Sequence, residues 1–301
     1  VKTPTYLKQG DTVGIVSTAR KVTKEELEYA LDILEKWGLK AVLGKSIEAE
    51  ENQFAGNDDL RASDFQDMMD NPEVKAIWCA RGGYGTVRII DRLDFSEFIK
   101  NPKWVIGYSD VTVLHAHLHN LGVESLHAQM PVQIETKSSE STESIREVLF
   151  GENYQVEFKN NHKLNRTGSA KGQLVGGNLS ILYSLCGSPS AIKTNGKILF
   201  IEDLDEYLYH IDRMMQNLKR NGMLDNLAAM IIGGMNDMND NAIPFGKDAE
   251  SIILDAVEEY DYPVYFDFPA GHVEDNRALV IGREVSLEFD ENRVTLAFAS
   301  H

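Results

Sequence analysis

Residues 103–121, Lys-Trp-Val-Ile-Gly-Tyr-Ser-Asp-Val-Thr-Val-Leu-His-Ala-His-Leu-His-Asn-Leu, decide the fold. An apolar run, Trp104-Val105-Ile106, suits a buried parallel strand, and 110–121 reads as a helix. Gly107-Tyr108-Ser109 lies between them. A serine on a sharp strand-to-helix turn projects its hydroxyl above the sheet, and the helix N-terminus supplies free backbone N–H groups. The surroundings are Gly-Tyr-Ser-Asp-Val and meet only half of the Gly-x-Ser-x-Gly nucleophile pattern. A plain helix cap at Ser109 or Asp110 explains the same residues. This stretch alone leaves both readings open.

Upstream the same alternation repeats. Residues 12–17 (TVGIVS) read as a strand, and 23–37 as a helix with Leu27, Ala30, Leu31 and Leu34 on one face. Thr23 and Glu26 have capping-box spacing, and Gly38 ends the helix. A strand at 41–43, a helix at 57–70 and a strand at 74–79 follow. Then come a glycine-rich loop, Arg81-Gly82-Gly83-Tyr84-Gly85, and a helix at 86–93. Strands alternating with helices predict an open parallel sheet covered on both faces, with sites at the carboxyl ends of its strands.

Near 134–147 the composition turns to Ser, Thr, Glu and Lys, which we read as the tail of one domain and the crossing to the next. Beyond it we expect a short strand before Gly176-Gly177, helices at 178–186, 207–221 and 247–260, and strands at 197–201, 228–232 and 264–266. The last stretch reads as antiparallel strands with a turn at Asp290-Glu291-Asn292. The boundaries are 1–135, a linking region 136–168, and 169–301.

Composition narrows the function classes. The 301 residues are 43% hydrophobic and 26% charged, as in a globular protein of two domains. A net charge of −17 argues against nucleic acid and anionic membrane as partners. No apolar run reaches the ~20 residues that span a bilayer. The start lacks a secretory-signal layout, although Val rather than Met at position 1 leaves open a trimmed leader. Cys79 and Cys186 are far apart without CxxC spacing and read as buried free thiols, in keeping with a reducing compartment.

The glycine loop after the strand at 74–79 fits either a phosphate-binding turn or a second source of N–H donors beside Ser109. Its spacing is not Gly-x-Gly-x-x-Gly. His115, His117 and His119 invite a metal reading, but only His115 and His119 share a helical face and no HExxH completes it. His127 follows a short strand, while His162, His210 and His301 have no supporting context. His272 stands in a turn-rich loop, Pro-Ala-Gly-His-Val-Glu-Asp-Asn, just after an apolar strand. Glu202 follows the run Ile-Leu-Phe-Ile and could fix a histidine tautomer as a triad carboxylate does. It reads equally as one of several solvated acids ahead of a helix.

Taken together, these segments resemble the LD-carboxypeptidase family of serine peptidases, which includes the microcin C self-immunity hydrolases. The likeness runs through Lys8-Gln9-Gly10-Asp11, Ala80-Arg81-Gly82-Gly83-Tyr84-Gly85, Gly107-Tyr108-Ser109-Asp110 and Gly176-Gly177-Asn178-Leu179. It continues through Phe200-Ile201-Glu202-Asp203, Tyr209-x-Ile211-Asp212-Arg213 and Gly271-His272 with Asn276. The resemblance implies an α/β fold: an N-terminal parallel-sheet domain similar to class I glutamine amidotransferases and a smaller C-terminal swivelling β/β/α domain. It implies Ser109, Glu202 and His272 as a catalytic triad, with oxyanion donors at the N–H groups of Gly83 and Asp110. Arg81, Gly82, Tyr84 and Asn178 are its candidate substrate contacts, with Arg81 or another basic residue expected to hold the substrate's terminal carboxylate.

The Arg-Gly-Gly-Tyr-Gly form looks like the peptidoglycan-acting branch, whose expected reaction removes terminal D-Ala from a murein tetrapeptide at an L,D amide bond. A peptidyl-nucleotide amide hydrolase and a non-catalytic binding module are the alternatives. No metal or other cofactor is implied; a cytoplasmic homodimer acting on a small peptide or muropeptide is expected. Thr18-Ala19-Arg20, His127-Ala128-Gln129-Met130 and Val273-Glu274 depart from the family's usual Pro-Ser, His-Gly-Pro-Met and Gly-Pro-like residues.

Overall fold

The computed structural model describes residues 1–159, 161–290 and 293–299. Its first half alternates as expected: β1 (Thr12–Val16), α1 (Glu28–Lys36), β2 (Lys40–Leu43), α2 (Asp58–Asp70), β3 (Val74–Cys79), β4 (Trp104–Gly107), α3 (Thr112–Asn120) and β5 (Ser125–His127). The five strands pair in parallel in the order β5-β4-β3-β1-β2. Both faces are covered, which is why β3 and β4 read as nearly unbroken apolar runs. Strand order reverses at β1, so the loops after β1 and β3 open the crevice where such sheets bind ligands.

Local chemistry explains several element ends. Thr23 N–H donates to Glu26 Oε2 at 2.9 Å and Glu26 N–H to Thr23 Oγ1 at 3.4 Å, a reciprocal cap ahead of α1. Residues 86–93 are not a helix. They form two 3-10 turns, Thr86–Arg88 and Ile90–Arg92. Thr86, Val87, Ile89 and Ile90 are β-branched and disfavour a helix, and the Asp110 carboxylate accepts the Thr86 N–H at 2.9 Å.

The Ser/Glu-rich stretch forms a helix, α4 (Ser139–Leu149). Ser138 caps it by accepting from Ser141 N–H at 3.0 Å. Ile145, Val148 and Leu149 join the core beside Trp78 and Trp104. Its polar composition belongs to the outer face of an amphipathic helix, not to a break in structure.

The second half contains β6 (Gln155–Lys159), β7 (Ala170–Asn178), α5 (Leu179–Ser184), β8 (Ile198–Leu204), α6 (Leu208–Arg220), β9 (Ala229–Asn236), α7 (Ala249–Ala256) and β10 (Val264–Tyr265). Then come β11 (Leu279–Ile281), β12 (Glu284–Asp290) and β13 (Arg293–Phe298). A seven-stranded sheet runs β10-β9-β8-β7-β12-β13-β6, its first four strands parallel and the others antiparallel. β11 leaves this sheet and pairs antiparallel with β5, becoming the sixth strand of the first. Of the turn expected at Asp290-Glu291-Asn292, the last two residues lie outside the described residues, as does His301.

β7 does not stop before its glycines. It runs through Gly176 and Gly177 to Asn178. A Cβ on Gly177 would lie 2.5 Å from Thr112 Oγ1, so the glycine lets β7 approach α3. Asn178 N–H then donates to the same Thr112 hydroxyl at 3.0 Å. One apolar core crosses this junction, joining Val113, Leu114 and Leu118 of α3 to Val175, Leu179 and Leu182, and onward to Ile211 and Met215 of α6.

Candidate active site

Ser109 follows β4 at the carboxyl edge of the first sheet and opens the 3-10 turn Ser109–Val111 that leads into α3. Its φ is +61°, the left-handed region that a serine adopts only when its surroundings enforce it. Such strain costs roughly 1–3 kcal/mol and concentrates at functional positions. No side chain caps this stretch: the residue ahead of the turn is Tyr108 and the one ahead of α3 is Val111, and neither makes a side-chain cap bond.

Gly82 lies against this serine. A Cβ at position 82 would sit 3.2 Å from Ser109 Cβ and 3.3 Å from its Oγ. The glycine loop is fastened to the serine turn by the Asp110–Thr86 bond already described. Asp110 is buried, and burial pushes its carboxyl above the usual carboxylate range.

The partner groups come from the second sheet. Glu202 lies within β8, which continues two residues past it, and its carboxylate is fully buried. Its Oε2 accepts from His272 Nδ1 at 2.6 Å and from the His272 backbone N–H at 3.1 Å. Its Oε1 accepts from Asn178 Nδ2 at 3.2 Å. Gly271 allows this approach: its φ is +100°, and a Cβ there would stand 2.7 Å from Glu202 Cβ, Cγ and Oε2.

Electrostatics follow from that pairing. Burial alone would push the Glu202 carboxyl up, but the His272 charge and hydrogen bond outweigh it and hold the acid below its ordinary value. Burial likewise pulls on the imidazole, and Glu202 overrides it, raising His272 above its ordinary value. With Nδ1–H committed to Glu202, Nε2 is the nitrogen left to accept a proton.

The two halves meet where the Tyr108 ring packs on the His272 ring, centroids 4.8 Å apart. Among the described residues no hydrogen bond joins Ser109 to His272. Catalytic bonds in a ligand-free site are often long and tighten only around substrate.

The other candidates fall in different places. Arg81 donates to Glu26 Oε1 at 3.3 Å and Lys21 O at 3.4 Å. Arg20 is instead the arginine over the loop: a Cβ on Gly83 would lie 2.6–2.7 Å from its Cγ, Cδ and Nε. Arg20 is exposed and has no ion pair among the described residues. Tyr84 is exposed and faces Phe54, ring centroids 6.2 Å apart. Asn178 is 5% exposed, bonded to both Glu202 and Asp203, so it stands behind the carboxylate.

His115, His117 and His119 take separate partners: Ser125 Oγ and Gly107 O, Ser190 Oγ, and Lys197 Nζ. His210 pairs with Glu206. Cys79 and Cys186 are both free thiols.

Several supporting residues escaped sequence reasoning. Asp203 accepts from Asn178 and from Ser180 N–H, and burial next to Glu202 raises its carboxyl to about 7. Asn276 Oδ1 accepts the Gly271 N–H at 2.8 Å. Asn236 and Lys137 donate to the carbonyls of His272 and Val273 at 2.5 and 2.7 Å. Asp203, in the Phe-Ile-Glu-Asp motif, and Asn276, in the histidine motif, had a signal in the sequence; Asn236 and Lys137 had none.

Residues 13–128 match the N-terminal domain of the LD-carboxypeptidase family, and residues 171–287 match its C-terminal domain. The chain belongs to the LD-carboxypeptidase family. It is 36% identical to a probable murein peptide carboxypeptidase of Bacillus subtilis, over 97% of this chain and 93% of that protein. It is 26% identical to a microcin C7 self-immunity protein of Escherichia coli, over 95% of this chain and 93% of that one. A solved muramoyltetrapeptide carboxypeptidase from Oxalobacter formigenes superposes with a TM-score of 0.87 at 26% identity, covering 96% of this chain and 99% of that chain.

Proposed function

We propose that this member of the LD-carboxypeptidase family is a serine-type carboxypeptidase that releases terminal D-Ala from a murein tetrapeptide in peptidoglycan recycling. Ser109, Glu202 and His272 are its triad. The observation that carries this reading is the hydrogen bond between buried Glu202 and His272, whose ring packs on Tyr108, the residue next to strained Ser109. Identity to the murein peptide carboxypeptidase, higher than to the microcin protein, favours the murein substrate.

His272 Nε2 takes the Ser109 proton while Oγ attacks the amide carbonyl carbon. The N–H groups of Gly83 and Asp110 receive the oxyanion, each donor worth about 2.7–4 kcal/mol in comparable sites. His272 then protonates the departing D-amino acid nitrogen, and water, deprotonated by the same imidazole, hydrolyses the acyl-enzyme. Arg20 holds the substrate's terminal carboxylate in place of Arg81, which already pairs with Glu26. On this reading 1–135 carries the nucleophile, 169–301 carries Glu202 and His272, and 136–168, helix α4 included, joins them. The enzyme acts as a cytoplasmic homodimer.

Ser109→Ala is the direct test. It should fold like the parent and lose several orders of magnitude in D-Ala release from murein tetrapeptide. Release near the parent rate ends the proposal.

A further inference from the structure

At the opposite edge of the first sheet, the segments entering β1, β3 and β4 surround a cavity of about 820 Å³. Five lysines line it, Lys2, Lys8, Lys75, Lys100 and Lys103, against a single carboxylate, Asp11. The chain as a whole carries 47 acidic and 30 basic residues. Positive charge is therefore concentrated here against the overall balance.

Most of that charge is not neutralised within the described residues. Lys100 pairs with Glu97 at 2.6 Å. Lys2 Nζ donates to Ile99 O at 2.8 Å, and Lys75 Nζ to Pro72 O at 2.7 Å. Lys103 Nζ, on a buried side chain, donates to Met68 O at 2.8 Å and to Asn71 O. Carbonyls satisfy ammonium N–H groups without cancelling their charge. Burial and the nearby Lys75 charge lower the Lys103 ammonium to about 8, against the opposing pull of the Asp70 carboxylate. Asp11 is engaged by the Lys8 backbone N–H at 2.8 Å.

The chemistry of the lining narrows the ligand. Its cationic groups are all ammonium ions on flexible stems, which gather around a multiply charged anion such as phosphate as point charges. A cavity of this size accepts a small organic molecule. The Tyr6 ring, stacked on Trp104 with centroids 6.2 Å apart, gives it a fixed wall. We propose that this cavity is a second binding site, for a small polyphosphate anion. It is separated from Ser109 by the length of the sheet's strands and stands independently of the triad.

The test is calorimetric titration of the whole chain with inorganic tripolyphosphate at low ionic strength. Saturable binding at one site is expected, weakening roughly tenfold or more between about 50 and 200 mM NaCl. The exposed double substitution K2Q/K75Q should weaken it by about tenfold or more while D-Ala release stays unchanged. Absence of saturable heat, or heat indifferent to K2Q/K75Q, overturns the proposal. So does salt-sensitive self-association removed by the same substitutions in sedimentation, because the cavity would then be an interface between copies.

Discussion

Glu202→Gln probes the site most sharply, because the replacement has nearly the same shape and cannot satisfy its neighbours. In the parent, one carboxylate oxygen accepts twice from His272 and the other accepts from Asn178. A glutamine that turns its oxygen toward His272 places its NH₂ against the Asn178 NH₂, donor against donor. Turned the other way, its NH₂ meets the His272 backbone N–H and forces Nδ1 to accept. The imidazole must then carry its proton on Nε2, where it cannot take the proton of Ser109. Full burial of position 202 denies water the chance to mediate in either orientation.

An equivalent replacement in a known triad lowers kcat about 10⁴-fold through the wrong tautomer. We expect roughly 10³–10⁴-fold here, with KM little changed because the group does not touch substrate. The assay is D-Ala release from murein tetrapeptide under saturating conditions, with thermal unfolding followed in parallel. Turnover within tenfold of the parent, from a protein that unfolds at the parent temperature, would refute the assignment of Glu202 as the orienting acid.

Other consequences follow from the same geometry. The acid limb of kcat/KM should lie above 6.5, because catalysis needs neutral His272 and Glu202 raises its pKa; a limb at or below 6.5 contradicts the pairing. Gly271→Ala should destabilise the fold by about 2–4 kcal/mol in chemical denaturation, from the left-handed backbone plus the clash with Glu202, and a loss under about 0.5 kcal/mol would show that the close approach is slack. Arg20→Met should raise KM for the free-acid peptide roughly tenfold or more while leaving kcat and the C-terminal amide analogue nearly unaffected, and an equal effect on both substrates argues against carboxylate recognition.

Which parts of this arrangement could be read from the chain depends on how local their causes are. Ser109 and His272 announce themselves because a turn residue beside an apolar strand end is a neighbourhood property. That His272 and Glu202 meet at 2.6 Å across 70 residues has no local trace; only the order of the motifs pointed to it. Asn178 and Asp203 brace the acid through bonds spanning 23 to 25 residues, and no spacing rule encodes those. Residues 139–149 misled through composition, since serine and glutamate on an exposed helical face look like a linker. The glycines of β7 misled through habit. They end a strand in many sequences, but here they admit a neighbouring helix and strand too close for any side chain. Arg81 sits in the motif yet turns to Glu26, while Arg20, outside every motif, covers the loop.

The buried pair sets stability and activity against each other. The raised His272 pKa contributes stability that is complete below the ordinary histidine value and disappears as pH rises through the folded one. The depressed Glu202 pKa contributes stability that is present above its ordinary value and disappears as pH falls through the folded one. Both contributions coexist fully between about 4.5 and 6.5, where His272 is protonated and cannot act as base. On the proposed mechanism, turnover belongs to the pH range where this ion pair is being lost. Its remaining scaffold must hold the loop without that charge, and the bonds from Asn276, Asn236 and Lys137 do so, because none of them passes through the imidazole.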